Sequence, residues 1–384
     1  MRRSLLRCAL PLAACASLLA FASTASAAGP SFVDPTASVS SHVTLGALDY
    51  VGPFATLTAG ANAIHIGDES NVQDSVRVDA SRGNVDMGEM VILAHGAAVN
   101  GDAELGEHGV CPHAEAHCPS FVGFNSLVDG ANIEKDAMVL HLARVAPGIT
   151  VKSGKVVLSG KNVTTQAQAD DPALGKVALV GAGERAFMHG VIEVNVAFAT
   201  AYTTLKAADP TNVTGINYDP DTFFNPGTQL PSFHGVETRR PNNRNRVIGE
   251  VALHDTLSDF NEEVGSRVSL RADEGYPFHA GSIESMGNSV TWHALEHTHI
   301  DLGDEANYGS RSIVHGGPNA FHDTTITGAD FSLGFGAVYF RSKAGKDVTI
   351  GRRTLIQNSD LPSGTTVRAH QIIVNSVDVG DVEW

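Results

Sequence analysis

From Val33 onward, apolar residues return every six positions. Val33, Val39, Leu45, Val51 and Leu57 form one series, with the small residues Ala37, Val43 and Ala55 between them. Ile66, Val72 and Val78 continue it, followed by Met87, Leu93, Val99 and Leu105, by Val122 and Val128, and by Val139, Val145, Val151 and Val157. A helical period of 3.6 cannot place these residues on one face, whereas a triangular coil with one apolar corner per six residues can. The pattern predicts an all-β fold, a left-handed parallel β-helix of hexapeptide repeats. Each rung of such a coil buries its apolar corner only against its neighbours, so many rungs are needed.

The period breaks at Ala182 to Ala208, AGERAFMHGVIEVNVAFATAYTTLKAA, which reads as an α-helix lying along the coil. Residues 209–240 are rich in Pro, Asn and Gly without apolar periodicity and read as a linker. Hexads then resume more raggedly, with Leu302, Tyr308 and Val314, then Leu333 and Tyr339, then Ile350 and Ile356. The expected organisation is a leader over 1–27, a β-helix domain with its C-terminal helix over 28–208, the linker, and a second β-helix domain over 241–384.

The histidines of the two halves are complementary. The first half has His95, with Asn100 five residues on, whereas the second has His293 and His315, with Ser310 five residues before His315. If two coils pack side by side, their histidines sum to three imidazoles around one metal.

The surrounding runs resemble those of gamma-class carbonic anhydrases in a tandem, two-copy form. In the first copy the resemblance rests on FVDPTASV, GDESNVQDSV, the LAH rung, SGKNVTTQAQADDP and VIEVNVAFATAY; in the second it rests on VIGEV, SLRADEG, WHALE and IVHGGP. The family consists of left-handed β-helices forming trimers with the metal between neighbouring subunits. One subunit gives the outer two histidines and its neighbour the middle one. The resemblance implies His293 and His315 as the outer pair and His95 as the middle ligand. It also implies Glu296 as the acidic proton-transfer residue, Gln73 and Glu274 as catalytic partners, and Asn71, Asn195, Arg271 and Asp273 as residues supporting the site. The departures are Asp79 and Asn100 in place of outer ligands in copy one, Leu57 and Ala59 in place of an arginine and an aspartate, and Ser285 and Gly287 where copy one keeps Asn71 and Gln73.

The implied chemistry is reversible hydration of CO₂ to bicarbonate by a metal-bound hydroxide. Three neutral imidazoles hold Zn²⁺ and leave a fourth tetrahedral position open, as catalytic rather than structural zinc requires. Fe²⁺ or Co²⁺ would accept the same ligands. Gln73 would orient hydroxide or substrate through its amide, and Glu296 and Glu274 would pass the proton outward. Against this stand the ordinary roles of such residues: histidines hydrogen-bonded in a core, corner amides satisfying backbone groups, and Arg271 and Asp273 as an interface ion pair.

The N-terminus sharpens the compartment. MRR, an apolar run from Cys8 to Ala22 and the small residues Thr24 to Ala28 predict a signal peptide cut after Ala27, and with it a secreted or periplasmic protein. A lipobox-like Leu12-Ala13-Ala14-Cys15 is the alternative, a lipoprotein. Losing residues 1–27 removes Arg2, Arg3 and Arg7 and no acid, so the net charge moves from −16 to −19, which disfavours nucleic acid as a partner. No other segment predicts a membrane span. Cys111 and Cys118 remain in CPHAEAHC and predict a disulfide, with a thiol and imidazole metal site using His113 and His117 as the alternative. The competing functional classes are a non-catalytic scaffold, metal buffering, and hexapeptide acyl transfer, which export from the cytosolic CoA pool disfavours. Homo-oligomerisation through the coil faces is expected, with the trimer as the form that the resemblance implies.

Overall fold

The computed structural model describes residues 29–112, 115–220, 222, 229–296, 298–317 and 324–384. The leader expected over residues 1–27 and His113 of the alternative metal site lie outside the described residues. Two left-handed parallel β-helices stand side by side. The first has three sheets of eight, seven and six strands, and the second three sheets of nine, eight and five. In coil one successive strands visit the three sheets in turn, so each parallel strand pairs with the one three places on. Tyr50–Val51 pairs with Asn71–Val72, which pairs with Val91–Leu93.

The hexads become columns. Val51, Val72, Leu93, Val122, Val139 and Val157 stack in register along the first sheet. Six residues later, Leu57, Val78, Val99, Val128, Val145 and Val163 stack along the second. Ile66, Met87, Leu105, Ile133 and Val151 stack along the third. All are buried, and each contributes about 1.5–3 kcal/mol of burial that exists only while the rungs stay stacked. Coil two fills the same space with larger side chains, and Leu270, Trp292, Val314, Tyr339 and Ile356 form the column that runs behind the histidines.

Each coil ends in an antiparallel strand, Val177–Leu179 in the first and Val377–Asp381 in the second. The excursion between Leu105 and Ser120 is tied by the expected disulfide of Cys111 and Cys118, with Cα atoms 5.6 Å apart. The helix spans Ala182–Ala208 as the sequence predicts. Its buried residues Met188, Val191, Ile192, Val194, Asn195, Phe198, Ala199 and Tyr202 recur at helical spacing, so one stripe faces inward. That stripe closes a seam between the coils. Ile92, Phe121, Phe124 and Met138 of coil one and Met188 and Ile192 of the helix share one apolar cluster with Ile313, Val338, Phe340 and Leu355 of coil two.

Part of the stretch read as a linker belongs to coil two. Ile216–Asn217 pairs with Arg246–Ile248, and Ser232–Phe233 pairs with Val251–Leu253, so the second coil begins before position 241. A short helix, Leu257–Glu263, interrupts its first turns and accounts for the ragged hexads there. Among the described residues no helix is long and apolar enough to cross a membrane.

Candidate metal centre

His293 and His315 end the strands Thr291–His293 and Ile313–His315 and pair directly in register. Alternation along each strand sends Trp292 and Val314 into coil two and leaves the histidines facing coil one. His95 comes from the other side, on the turn after strand Val91–Leu93, where Gly96 with φ of 70° reverses the chain. The three side chains meet at the seam with relative exposures of 1 %, 3 % and 2 %.

Their inner nitrogens converge. His95 Nε2 lies 3.2 Å from His293 Nδ1, which lies 3.2 Å from His315 Nε2, and the three atoms are all within 4.8 Å of one another. A tetrahedral zinc with Zn–N near 2.0–2.1 Å requires N···N edges of about 3.3 Å. The outer nitrogens face acceptors. His315 Nδ1 contacts the Gly316 carbonyl, which can only accept, so this nitrogen carries the proton and Nε2 is bare. His293 Nε2 lies 3.4 Å from Asp273 Oδ1 and 3.5 Å from Glu274 Oε2, and His95 Nδ1 lies 3.7 Å from Asp74 Oδ1. These are the carboxylate partners that orient metal-ligating imidazoles, although none of these three contacts is aligned as a hydrogen bond. Burial and the crowding of like groups hold the pKa values of His95 and His315 well below the usual histidine range, so both are neutral and ready to donate a lone pair. Three buried imidazoles with inner nitrogens at this spacing fit a metal ion.

Buried charge links the two coils behind the histidines. Arg271, one rung below His293, bonds Asp74 of coil one with Nη1 and Asp273 with Nε at 2.9 Å. Ser269 Oγ donates to the other oxygen of Asp74, and Tyr202 of the helix donates to Asp273. Burial pushes the Asp273 carboxyl up, but Arg271, with His293 and Tyr202, outweighs it and holds it ionised. Glu274 lacks such compensation. Burial raises it to about 7, with His293 and the Glu296 N–H, which donates to Oε1 at 3.1 Å, opposing the rise.

The structure thus gathers His95, His293, His315, Arg271, Asp273 and Glu274, with Glu296 partly exposed beside Glu274. Asn71 is wholly buried with both ends of its amide unpaired among the described residues. Gln73, on the turn beside Asp74, is nearly buried, and among the described residues its amide bonds none of the three histidines. Asn195 donates to the Val191 carbonyl of its own helix at 2.7 Å, a bond that restrains it on the seam face. Asp74, Ser269 and Tyr202 were not singled out in the sequence. Asp74 follows Gln73 directly, and Tyr202 lies seven residues beyond Asn195 on the same helix face, so both signals were within reach.

The same register explains what coil one lost. Thr58, Asp79, Asn100 and Asp129 form the column matching Arg271, His293, His315 and Phe340. The places of Arg271 and Asp273 are therefore taken by Thr58 and Gly60, a correction of one residue to Leu57 and Ala59, which point into the core. Asn100 and Arg144 bond Asp129 at 3.0 and 2.9 Å, so the column has become a polar and ionic cluster. Ser310, at the place of His95, accepts from the Asn288 N–H at 3.0 Å and braces a turn.

No family model matches the chain. Over 195 residues it is 30 % identical to the carbonic anhydrase of Methanosarcina thermophila, covering 44 % of this chain and 72 % of that protein. The chain belongs to the gamma-class carbonic anhydrase family. Within the family it is also 29 % identical to gamma carbonic anhydrase 2, mitochondrial, of Arabidopsis thaliana over 133 residues, covering 33 % of this chain and 44 % of that one. The carboxysome assembly protein CcmM of a Nostoc species is 28 % identical over 134 residues, 34 % of this chain and 23 % of its own length. Among solved structures, a hexapeptide transferase family protein from Anaplasma phagocytophilum matches 44 % of this chain and 91 % of its own at 17 % identity and a TM-score of 0.26.

Proposed function

We propose that this carbonic anhydrase family member hydrates CO₂ reversibly to bicarbonate at one composite centre per chain, in which coil one supplies His95 and coil two supplies His293 and His315. The observation carrying this reading is the convergence of three buried imidazole nitrogens from two coils, two of their separations being 3.2 Å. His95, His293 and His315 would hold the metal, and zinc bound there would supply hydroxide at neutral pH, an effect for which carbonic anhydrase is the standing example; Fe²⁺ or Co²⁺ would fit the same ligands. The chain's own residues do the rest. Gly316 fixes the tautomer of His315, while the carboxylates of Asp273 and Asp74 lie beside the outer nitrogens of His293 and His95. Glu274, with its pKa raised to about 7, accepts a proton at Oε2 near neutral pH and passes it to the partly exposed Glu296. The amides of Gln73 and Asn71 orient substrate from the rung below His95. We further propose export, supported by the N-terminal sequence and by the Cys111–Cys118 disulfide, which suits an oxidising compartment, and self-association through free coil faces.

The burial of all three histidines favours one second reading, in which the metal only clamps the coils together. Stopped-flow CO₂ hydration by the metal-loaded chain decides between them. Turnover that falls at least tenfold in Glu274→Gln with metal content unchanged, and is partly restored by concentrated buffer, supports catalysis. A fully loaded chain without turnover supports the clamp.

A further inference from the structure

Beside the metal centre, on the far side of the His95 turn, the two coils leave a cleft of about 130 Å³. Its floor is Gly96 and Asn125 of coil one, and its walls carry Arg77 from coil one and Arg311 and Arg353 from coil two. The floor is built rather than incidental. A Cβ on Gly96 would meet Asn125 Oδ1 at 2.2 Å, so only glycine lets that amide cross the seam. There Asn125 donates to the carbonyls of Arg311 and Gly336 at 3.0 and 3.2 Å, which fixes the backbone of Arg311 against coil one. The Arg353 guanidinium lies 4.1 Å from the ring centre of Trp384, whose Nε1 is in turn bonded to the Leu142 carbonyl at 2.6 Å.

The charge here runs against the rest of the molecule. With 42 acidic against 26 basic residues, acids are the commoner neighbours, yet among the described residues none forms an ion pair with Arg77, Arg311 or Arg353. The carboxylates along the coil-one wall are already engaged, Asp79 by the Ser81 N–H at 2.8 Å and Asp129 by Arg82, Arg144 and Asn100. Arg311 is half-buried, and the charges acting on it come from Arg77, Arg267 and Arg353. Burial and these like charges lower its pKa. The half-buried Arg311, which has no ion-pair partner among the described residues, forms with Arg353 and the exposed Arg77 a receptor for an oxyanion, which guanidinium forks bind in a bidentate manner.

The geometry points to an anion site in this cleft, separate from the metal centre, in which Arg311, Arg77 and Arg353 bind a small oxyanion of the carboxylate, bicarbonate or phosphate class. Inorganic phosphate is the probe. Calorimetric titration of the full chain at fixed ionic strength should show one saturable site per chain that survives removal of metal by chelator. Arg311→Gln and Arg353→Gln should each weaken it at least tenfold with thermal unfolding unchanged, while Arg311→Lys retains part of the affinity. If Arg311→Gln fails to fold, the exposed Arg77→Gln serves instead, with at least a threefold loss expected. Competition by bicarbonate or acetate would tell which anions the site accepts. Absence of saturation, affinity unaltered in the glutamine variants, or loss on chelation would overturn the proposal. So would sedimentation showing that the cleft holds a second copy, with Arg311→Gln dissociating an oligomer that binds no phosphate.

Discussion

Coil one and coil two are the same scaffold with opposite endowments. At matching positions of one outward column, coil two carries Arg271, His293 and His315, whereas coil one carries Thr58, Asp79 and Asn100. At the matching turn the roles reverse, with His95 in coil one and Ser310 in coil two. The interior columns that hold the rungs are apolar in both. A β-helix tolerates this divergence because outward residues contribute little to rung stacking, so each face can be rewritten without unfolding the coil. Among the described residues, the face where coil one's first sheet meets coil two's histidine column is the one that gathers three imidazoles.

The comparison breaks most severely at the charge that joins the coils. Arg271→Met leaves Asp74 and Asp273 buried without their counterion, and removing one partner of a buried ion network costs about 3–5 kcal/mol. Denaturant unfolding should show that loss, whereas Arg77→Met on the outward face of coil one should stay within about 0.5 kcal/mol. Next in size is the coil-one excursion. Cys111→Ser with Cys118→Ser opens a short ring, so about 2 kcal/mol, the low end for disulfides, is expected in thermal melts, with no change in metal content.

A smaller effect separates the seam histidines by function. His141 is buried beside Phe124, accepts from the Phe124 N–H at 3.1 Å, and faces Arg341; burial, then that cation, lower its pKa to about 3. The folded chain keeps it neutral while the unfolded chain takes up a proton below 6.5, so stability falls as pH drops from 6.5 toward 3. At pH 5.5 this is about 1.4 kcal/mol. His141→Gln should lack that loss, which melts at pH 7.5 and 5.5 would show as a smaller drop than in the parent chain.

Much of this was legible in the chain. The hexads are visible because the three interior columns demand an apolar residue every six positions, and the helix is visible because its inward stripe returns to the period 3.6. The start of coil two was hidden, since Ile216–Asn217 and Ser232–Phe233 are two-residue strands too short to show a period. Leu57 and Ala59 were misplaced by one residue because motif matching sees order but not pleat, and one step along a strand exchanges inside for outside. Asp74 and Tyr202 were missed because their partners, Arg271 and Asp273, are 197 and 71 residues away. The arginine cleft draws on both coils and has no local signature at all.

A divided centre means that neither coil holds the metal alone. Metal per chain, measured by plasma mass spectrometry after extensive dialysis, tests it most directly. One equivalent is expected in the parent chain and in Asp79→Ala and Ser310→Ala, and less than about a tenth of that in His95→Ala, because two imidazoles fall short of the three that catalytic zinc requires. A His95→Ala chain that keeps its full equivalent of metal would contradict the divided centre.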